Sequence, residues 1–398
     1  MMEPAPAAEI TARMAAFKEE LVREGISLAL IRQSADFYYY TGTLADGLLA
    51  VTPAREPLLL VRRPQYRLLE AAPPWALAFY GDLKEIPALL AASGFPDQGP
   101  LGLELDVMPV AFYNRLQKLF PQRQRQDVSP LIRRQRMLKS AYEIEQMRRA
   151  ARILDLALED APQLLRPGVS EMEVAAALEY RLRLLGHQGL VRIRTWNLEL
   201  FYGHILSGVS GVQAAYTDTP SGGPGFTPAF PQGAGRKKLA EGEPISIDVF
   251  SCFNGYVVDQ TRMYALGSLP ERAWEAFRLI EDLYRVFEDL ARPGVLPGDI
   301  YQRLWQEVKD RGWEEYFMGR GPDRVSFLGH GVGLEADEYP LLTARFPYPL
   351  AADMVLAFEP KIFLPEIGMI GLEDTGRITS GGVEWLTTTP REVMVIKN

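Results

Sequence analysis

Five side chains in the C-terminal two-thirds of the chain have the types and spacing of a metal centre: Asp248, Asp259, His330, Glu359 and Glu373. Asp248 sits in the apolar run PISIDVF (244–250) and Asp259 in YVVDQTR (256–262), with Asn254-Gly255 between them. Such a pattern predicts a β-hairpin. A turn centred between Phe253 and Asn254 places the two aspartates opposite each other, with Cβ atoms about 5 Å apart on one face. VLAFE (355–359) and MIGLE (369–373) repeat the design around a loop centred on Glu366, which sets Glu359 opposite Glu373. Ionised carboxylates crowded among Ile, Val, Leu and Phe repel one another, and a bound cation removes the conflict. Four of them require roughly two divalent ions for neutrality. His330, in Gly-His-Gly, has glycines on both sides that let the backbone pass close to such a site.

The elements around these residues are announced by caps and stops. Ser140 with Glu143, and Ser170 with Glu173, form capping boxes that open two helices, the second ending near Gly186. A later pair runs from Pro270 and from about Asp299 to Gly312. The stop RPGV recurs at 166–169 and 292–295, and FYGH (201–204) is echoed by FLGH (327–330), both at an offset of 126 residues. Two echoes at one offset indicate an internal duplication. The expectation is two similar αα-plus-strand halves forming one layered domain with a cleft on its axis, and His204 as the repeat-mate of His330.

Upstream, apolar runs at 26–31, 47–52 and 57–61 read as strands, and 83–92 and 109–120 as helices, giving a small α/β domain. The basic segment 131–139 reads as a solvated linker. Residues 1–25 read as an amphipathic helix with no signal-peptide core. The expected domains are 1–135 and 136–398, and the fold class is α+β.

With 398 residues, 47% hydrophobic, a large core is available. The net charge of −8 and the scattered arginines argue against a nucleic-acid partner. No run of about 18 apolar residues predicts a membrane span. A single cysteine, Cys252, fits a reducing cytoplasm.

The five residues in their contexts resemble the pita-bread metallopeptidase family, which includes methionine and Xaa-Pro aminopeptidases, prolidases and creatinase. Its ligand order Asp, Asp, His, Glu, Glu is matched by Asp248 and Asp259, by His330 in Gly-His-Gly-x-Gly, by Glu359-Pro360 and by Glu373-Asp374. RRQRMLKSAYEIEQMRRAA (133–151) is similar to the start of the Xaa-Pro type catalytic domain. The resemblance implies a C-terminal pita-bread domain, a smaller N-terminal creatinase-like domain, and a homodimer. It further implies Asp259 and Glu373 bridging two divalent ions, Asp248 completing one coordination sphere, and His330 and Glu359 the other. Carboxylates with one imidazole favour Mn, Fe or Co over a thiolate-rich zinc site, and the expected ions are Mn, Co, Fe or Zn with Mn first. A water between the ions would be the nucleophile, with Glu359 accepting its proton. Thr261 would orient Asp259.

Three positions depart from the family pattern. Asp337 stands where a substrate-binding histidine is usual, Phe230-Pro231 where another is, and Gly371 where Xaa-Pro enzymes often carry Arg. Asp337 could accept a proton or hold a substrate amine, and His204 could line the cleft. The Gly/Pro-rich loop 217–235 reads as a surface connection or a lid. The implied activity is hydrolysis of an N-terminal peptide bond in a small peptide, of Xaa-Pro aminopeptidase or dipeptidase (prolidase) type. The alternatives are a hydrolase of another small amide and a non-catalytic binding protein on the same scaffold.

Overall fold

Short apolar runs bounded by turn residues become the first sheet. The computed structural model describes residues 5–71 and 73–397, so the first four residues of the N-terminal stretch lie outside it. The chain divides into two units, Met1–Arg136 and Met137–Asn398. In the first, β1 (Leu28–Ile31), β2 (Asp46–Val51), β3 (Leu58–Arg63), β4 (Ala76–Phe79), β5 (Leu101–Leu103) and β6 (Arg125–Asp127) form one sheet, ordered β4-β3-β2-β1-β5-β6. Its helices include Ala7–Arg23 and Val110–Leu119. The helix Ser34–Thr41 had no sequence pattern to announce it. It buries residues nearly all round, so no polar stripe marks it.

The basic segment 131–139 is not a solvated linker. Most of it lies in the helix Ser129–Met137, and both Arg136 and Lys139 are buried. Each charge is paired inside its own unit, Arg136 with Asp36 and Lys139 Nζ with Glu338 Oε2 at 2.9 Å. Burial without such a partner would cost several kcal/mol, on the order of 3–5.

The second unit is built on a nine-stranded sheet. Its strands are β7 (Gly203–Ser207), β8 (Pro244–Phe253), β9 (Tyr256–Leu266), β10 (Phe327–Gly331), β11 (Glu338–Thr343) and β12 (Val355–Phe358), then β15 (Glu373–Thr379), β16 (Gly382–Trp385) and β17 (Met394–Ile396). Between β12 and β15 runs a separate hairpin of β13 (Lys361–Leu364) and β14 (Gly368–Gly371). The main order is β11-β10-β12-β15-β9-β8-β7. Read outward from the β15–β9 junction, β12 and β10 on one side answer β8 and β7 on the other. That is the expected duplication, with His204 on β7 facing the role of His330 on β10.

Both capping boxes form, at Ser140 for the helix Ala141–Leu158 and at Ser170 for Glu171–Leu185, which Gly186 closes at φ 112°. The second helical pair is Glu271–Leu290 and Pro297–Asp310. The two RPGV stops carry their glycines at matching left-handed backbone, φ 84° at Gly168 and 94° at Gly294. The helix Glu271–Leu290 packs Phe287 flat on Phe358 of β12, ring centres 4.1 Å apart. Among the described residues no helix is long and apolar enough to cross a membrane.

Arg262 is the largest fully buried side chain and ties three segments together. Its Nη2 donates to Asp374 Oδ1 at 2.6 Å, its Nη1 to the Glu373 carbonyl at 2.9 Å, and its Nε to the Thr389 carbonyl at 2.9 Å. Replacing it takes from Asp374 one of its two buried arginine partners and leaves the Glu373 and Thr389 carbonyls short of a donor. Arg262→Leu is therefore expected to lower stability by about 3–5 kcal/mol in equilibrium urea unfolding. Cys252 is fully buried, and burial pushes its thiol up to about 12. The folded protein at pH 8 should leave Ellman's reagent unreacted, releasing one equivalent of chromophore only after unfolding.

Candidate metal centre

The hairpin β8–β9 carries the two aspartates, but its register differs from the expected one. Asn254 and Gly255 both adopt positive φ, 49° and 89°, as the two central residues of a tight hairpin turn. The turn is therefore centred between Asn254 and Gly255, one residue later than expected. Asp248 pairs with Thr261, and Asp259 with Phe250. The aspartates are diagonal neighbours on one face, which keeps them in reach of each other. In the other half, Phe358 pairs with Asp374 and Lys361 with Gly371, so one register runs through both hairpins and sets Glu359 across from Glu373 as expected.

All four acids are buried, between 1% and 6% exposed, and His330 is slightly more open. Asp259, His330 and Glu373 each offer one ligand atom, all within 4.8 Å of one another. His330 Nε2 lies 3.4 Å from Glu359 Oε1 and 3.9 Å from Glu373 Oε1. Asp259 Oδ1 and Glu373 Oε1 are buried with no hydrogen-bond partner. Orphaned anionic oxygens at this depth are costly unless a cation meets them, so the donor set fits a divalent ion.

Lys361, which the acid spacing did not point to, sits among these side chains. Lys361, two positions after Glu359, is 1% exposed. Its Nζ contacts Glu359 Oε2 at 2.7 Å, Glu373 Oε2 at 3.1 Å and Asp248 Oδ2 at 3.2 Å. Gly371 makes room for its stem, since a Cβ there would lie 2.5 Å from Lys361 Cγ. The available sign was a lysine between Pro360 and Ile362, placed by the hairpin register across from that glycine.

The electrostatics divide the site. Burial disfavours the Lys361 charge, but Asp248, Glu359 and Glu373 overcome it and raise its pKa well above the ordinary value. Burial would likewise raise Asp248, yet Lys361 and His204 hold it below the usual carboxylate range. Asp259 is pushed far up by burial and by Glu373 and Asp248, which outweigh the pull of Lys361. Burial lifts Glu373 to about 7, against the pull of Lys361. Burial lowers His330, and Glu359, Glu373 and Asp337 more than compensate. Negative charge is thus undercompensated on the Asp259–Glu373 side.

Thr261 does not orient Asp259. Its hydroxyl donates to Glu373 Oε2 at 3.1 Å, and it lies across from Asp248. Asp259 is fixed through its backbone, whose N–H donates to Thr375 Oγ1 at 2.9 Å while that hydroxyl donates to the Asp259 carbonyl at 3.0 Å. His204, buried on β7 across from Asp248, has Nε2 3.0 Å from the Gln232 amide nitrogen. With that amide donating, Nε2 is the unprotonated nitrogen. Burial and Lys361 outweigh Asp248 and bring the ring down to about 4. The loop 217–235 thereby reaches the site through Gln232, and Phe230 packs edge-on against Phe201, which packs edge-on against His204. Asp337 is half-buried and accepts from Thr195 Oγ1 at 3.4 Å.

Residues 145–380 match the model of metallopeptidase family M24, and residues 13–138 that of the creatinase/prolidase N-terminal domain. The chain belongs to metallopeptidase family M24. Within that family it is 27% identical over 379 residues to a Xaa-Pro dipeptidase of Pyrococcus horikoshii, covering 94% of this chain and 97% of the relative. A Xaa-Pro dipeptidase of Lactobacillus delbrueckii subsp. lactis is 26% identical over 388 residues, covering 94% and 96%. The crystal structure of the Pyrococcus horikoshii OT3 prolidase superposes with a TM-score of 0.80 at 26% identity, over 96% of this chain and 100% of the other. A Bacillus anthracis Xaa-Pro dipeptidase reaches 0.81 at 24% identity over 97% and 99%, a likeness of fold. The second unit is therefore the M24 pita-bread domain, the first a creatinase-type N-terminal domain, and the family implies divalent metal.

Because Thr261 positions Glu373, removing its hydroxyl should loosen the ion without unfolding the hairpin. Thr261→Val is expected to weaken Mn²⁺ affinity about 10–100-fold in isothermal titration.

Proposed function

We propose that this chain hydrolyses the N-terminal peptide bond of short peptides, of Xaa-Pro dipeptidase or aminopeptidase type, using divalent metal with manganese favoured. The observation that carries the reading is the buried convergence of Asp259, His330 and Glu373 around two orphaned carboxylate oxygens. Nearly full-length similarity to Xaa-Pro dipeptidases supports the substrate class. When bound, such metal lowers the pKa of a water towards neutrality and polarises the scissile carbonyl.

The chain's own residues supply the rest. Glu359, with Oε1 turned towards His330 and Oε2 towards Lys361, would take a proton from the attacking water. Asp337, half-buried and in electrostatic reach of His330, offers a carboxylate for the substrate's free ammonium. His204, held by Gln232, acts as a positioning residue behind Asp248. The resemblance supplies a count of two ions; Lys361 bears on that number. A single buried cysteine is compatible with a cytoplasmic protein, and a homodimer follows the two-domain arrangement of the resemblance.

Lys361 also favours a second reading, a binding protein without turnover, because its ammonium already neutralises part of the acid cluster. One assay separates the two. Xaa-Pro dipeptides, other dipeptides and Xaa-Pro tripeptides are incubated with Mn²⁺- or Co²⁺-loaded protein, and released amino acids are quantified by chromatography. Hydrolysis of Xaa-Pro substrates is expected, falling to background in Asp259→Asn. Silence across the whole panel from a metal-loaded, folded preparation would sink the peptidase reading.

A further inference from the structure

We propose that the Lys361 ammonium permanently takes the place of one divalent ion, so that each chain binds a single ion, held by Asp259, His330 and Glu373 with Glu359 beside it. The proposal rests on the metallopeptidase reading of the site and departs from it in the number of ions.

The geometry splits the carboxylate oxygens into two groups. Glu373 Oε2, Glu359 Oε2 and Asp248 Oδ2 all point at Lys361 Nζ, 2.7–3.2 Å away. Glu373 Oε1 and Asp259 Oδ1 have no hydrogen-bond partner, and Glu359 Oε1 faces His330 Nε2 at 3.4 Å. Metal–oxygen bonds are about 2.0–2.2 Å long. An ion placed on the first group would need the same oxygens that grip the ammonium, and would lie within a few ångströms of its charge. The second group has ligand atoms free and no cation of its own.

Charge counting alone does not select the number. Four carboxylates and one ammonium leave three negative charges; one dication leaves one negative charge and two leave one positive. Geometry decides, because the ammonium position is built into the hairpin. Lys361 lies on β13 across from Gly371 on β14, and any side chain at 371 would collide with the lysine stem. Its Nζ contacts three carboxylates, and the side chain is buried. The cation comes from the strand opposite Gly371, and its Nζ meets Asp248, Glu359 and Glu373.

The test is the ion count of the wild-type protein, independent of turnover. Metal-free protein is saturated with Mn²⁺, freed of excess by gel filtration, and measured by inductively coupled plasma mass spectrometry and by electron paramagnetic resonance. One Mn per chain is expected, with the resolved six-line spectrum of an isolated ion. Two per chain with an exchange-broadened spectrum, or none at saturation, would overturn the proposal. Lys361→Ser empties the ammonium position and is expected to raise the count to two, with spin coupling between the ions. A folded variant that stays at one ion also counts against it, and should the variant not fold, the wild-type spectrum decides. Peptide hydrolysis is scored separately on the same preparations. One ion without turnover removes the peptidase reading and leaves the ion count standing, whereas two ions with turnover do the reverse.

Discussion

Four buried carboxylates within one apolar crevice impose the constraint on which this domain depends: their charge has to be met, from within the chain or by ions. The chain meets part of it with Lys361, which grips Asp248, Glu359 and Glu373. The unmet part shows in the raised carboxyls of Asp259 and Glu373 and in their unpaired oxygens. A neutral pocket of this kind would need no metal, and a fully uncompensated one would not stay ionised. The observed state lies between the two, with one side compensated and the other open.

Strand alternation explains how the same short segment serves both fold and site. Glu373 and Asp374 are adjacent on β15 and so point to opposite faces. Glu373 enters the crevice. Asp374, on the other face, is fully buried and accepts from Arg262, Thr387 and Arg391. Arg262 in turn holds the carbonyls of Thr261 and Glu373, both in strands that carry site residues. The interactions that stabilise the sheet behind the crevice are thus the ones that fix the ligands in front of it. The duplicated order of strands about the β15–β9 junction brings the acids of both hairpins to one place.

Much of this was legible in the sequence because the features are local. Capping boxes, glycine stops and the spacing of acids within apolar runs each depend on a few neighbouring residues, and the helices at Ala141–Leu158 and Glu171–Leu185 begin where Ser140 and Ser170 predict. The second hairpin's register followed from its loop centre. The first did not, because Asn254-Gly255 forms a two-residue turn whose centre lies one residue later than assumed. The segment 131–139 looked solvated since composition alone does not reveal partners; Asp36 and Glu338 are 100 and 199 residues away from the charges they bury. Thr261 was assigned to its sequence neighbour Asp259, whereas the pairing of β9 with β15 sets it directly across from Glu373.

Lys361 was missed for a related reason. A lysine in a strand is ordinarily read as an edge or solvent-facing residue, and only the pairing with Gly371 shows that its stem has room to run inward. An ammonium and a dication are not equivalent occupants of such a cage. The ammonium donates hydrogen bonds at about 2.8–3 Å, carries half the charge and cannot accept a lone pair from a substrate carbonyl. It therefore holds three carboxylates in place from the moment the hairpin forms, with no dependence on metal supply. On the single-ion proposal, Lewis-acid chemistry would be confined to the side of the crevice where Asp259, His330 and Glu373 converge. The cost of burying the lysine is offset by three acids that would otherwise repel one another, so the substitution can persist whether or not an ion binds beside it.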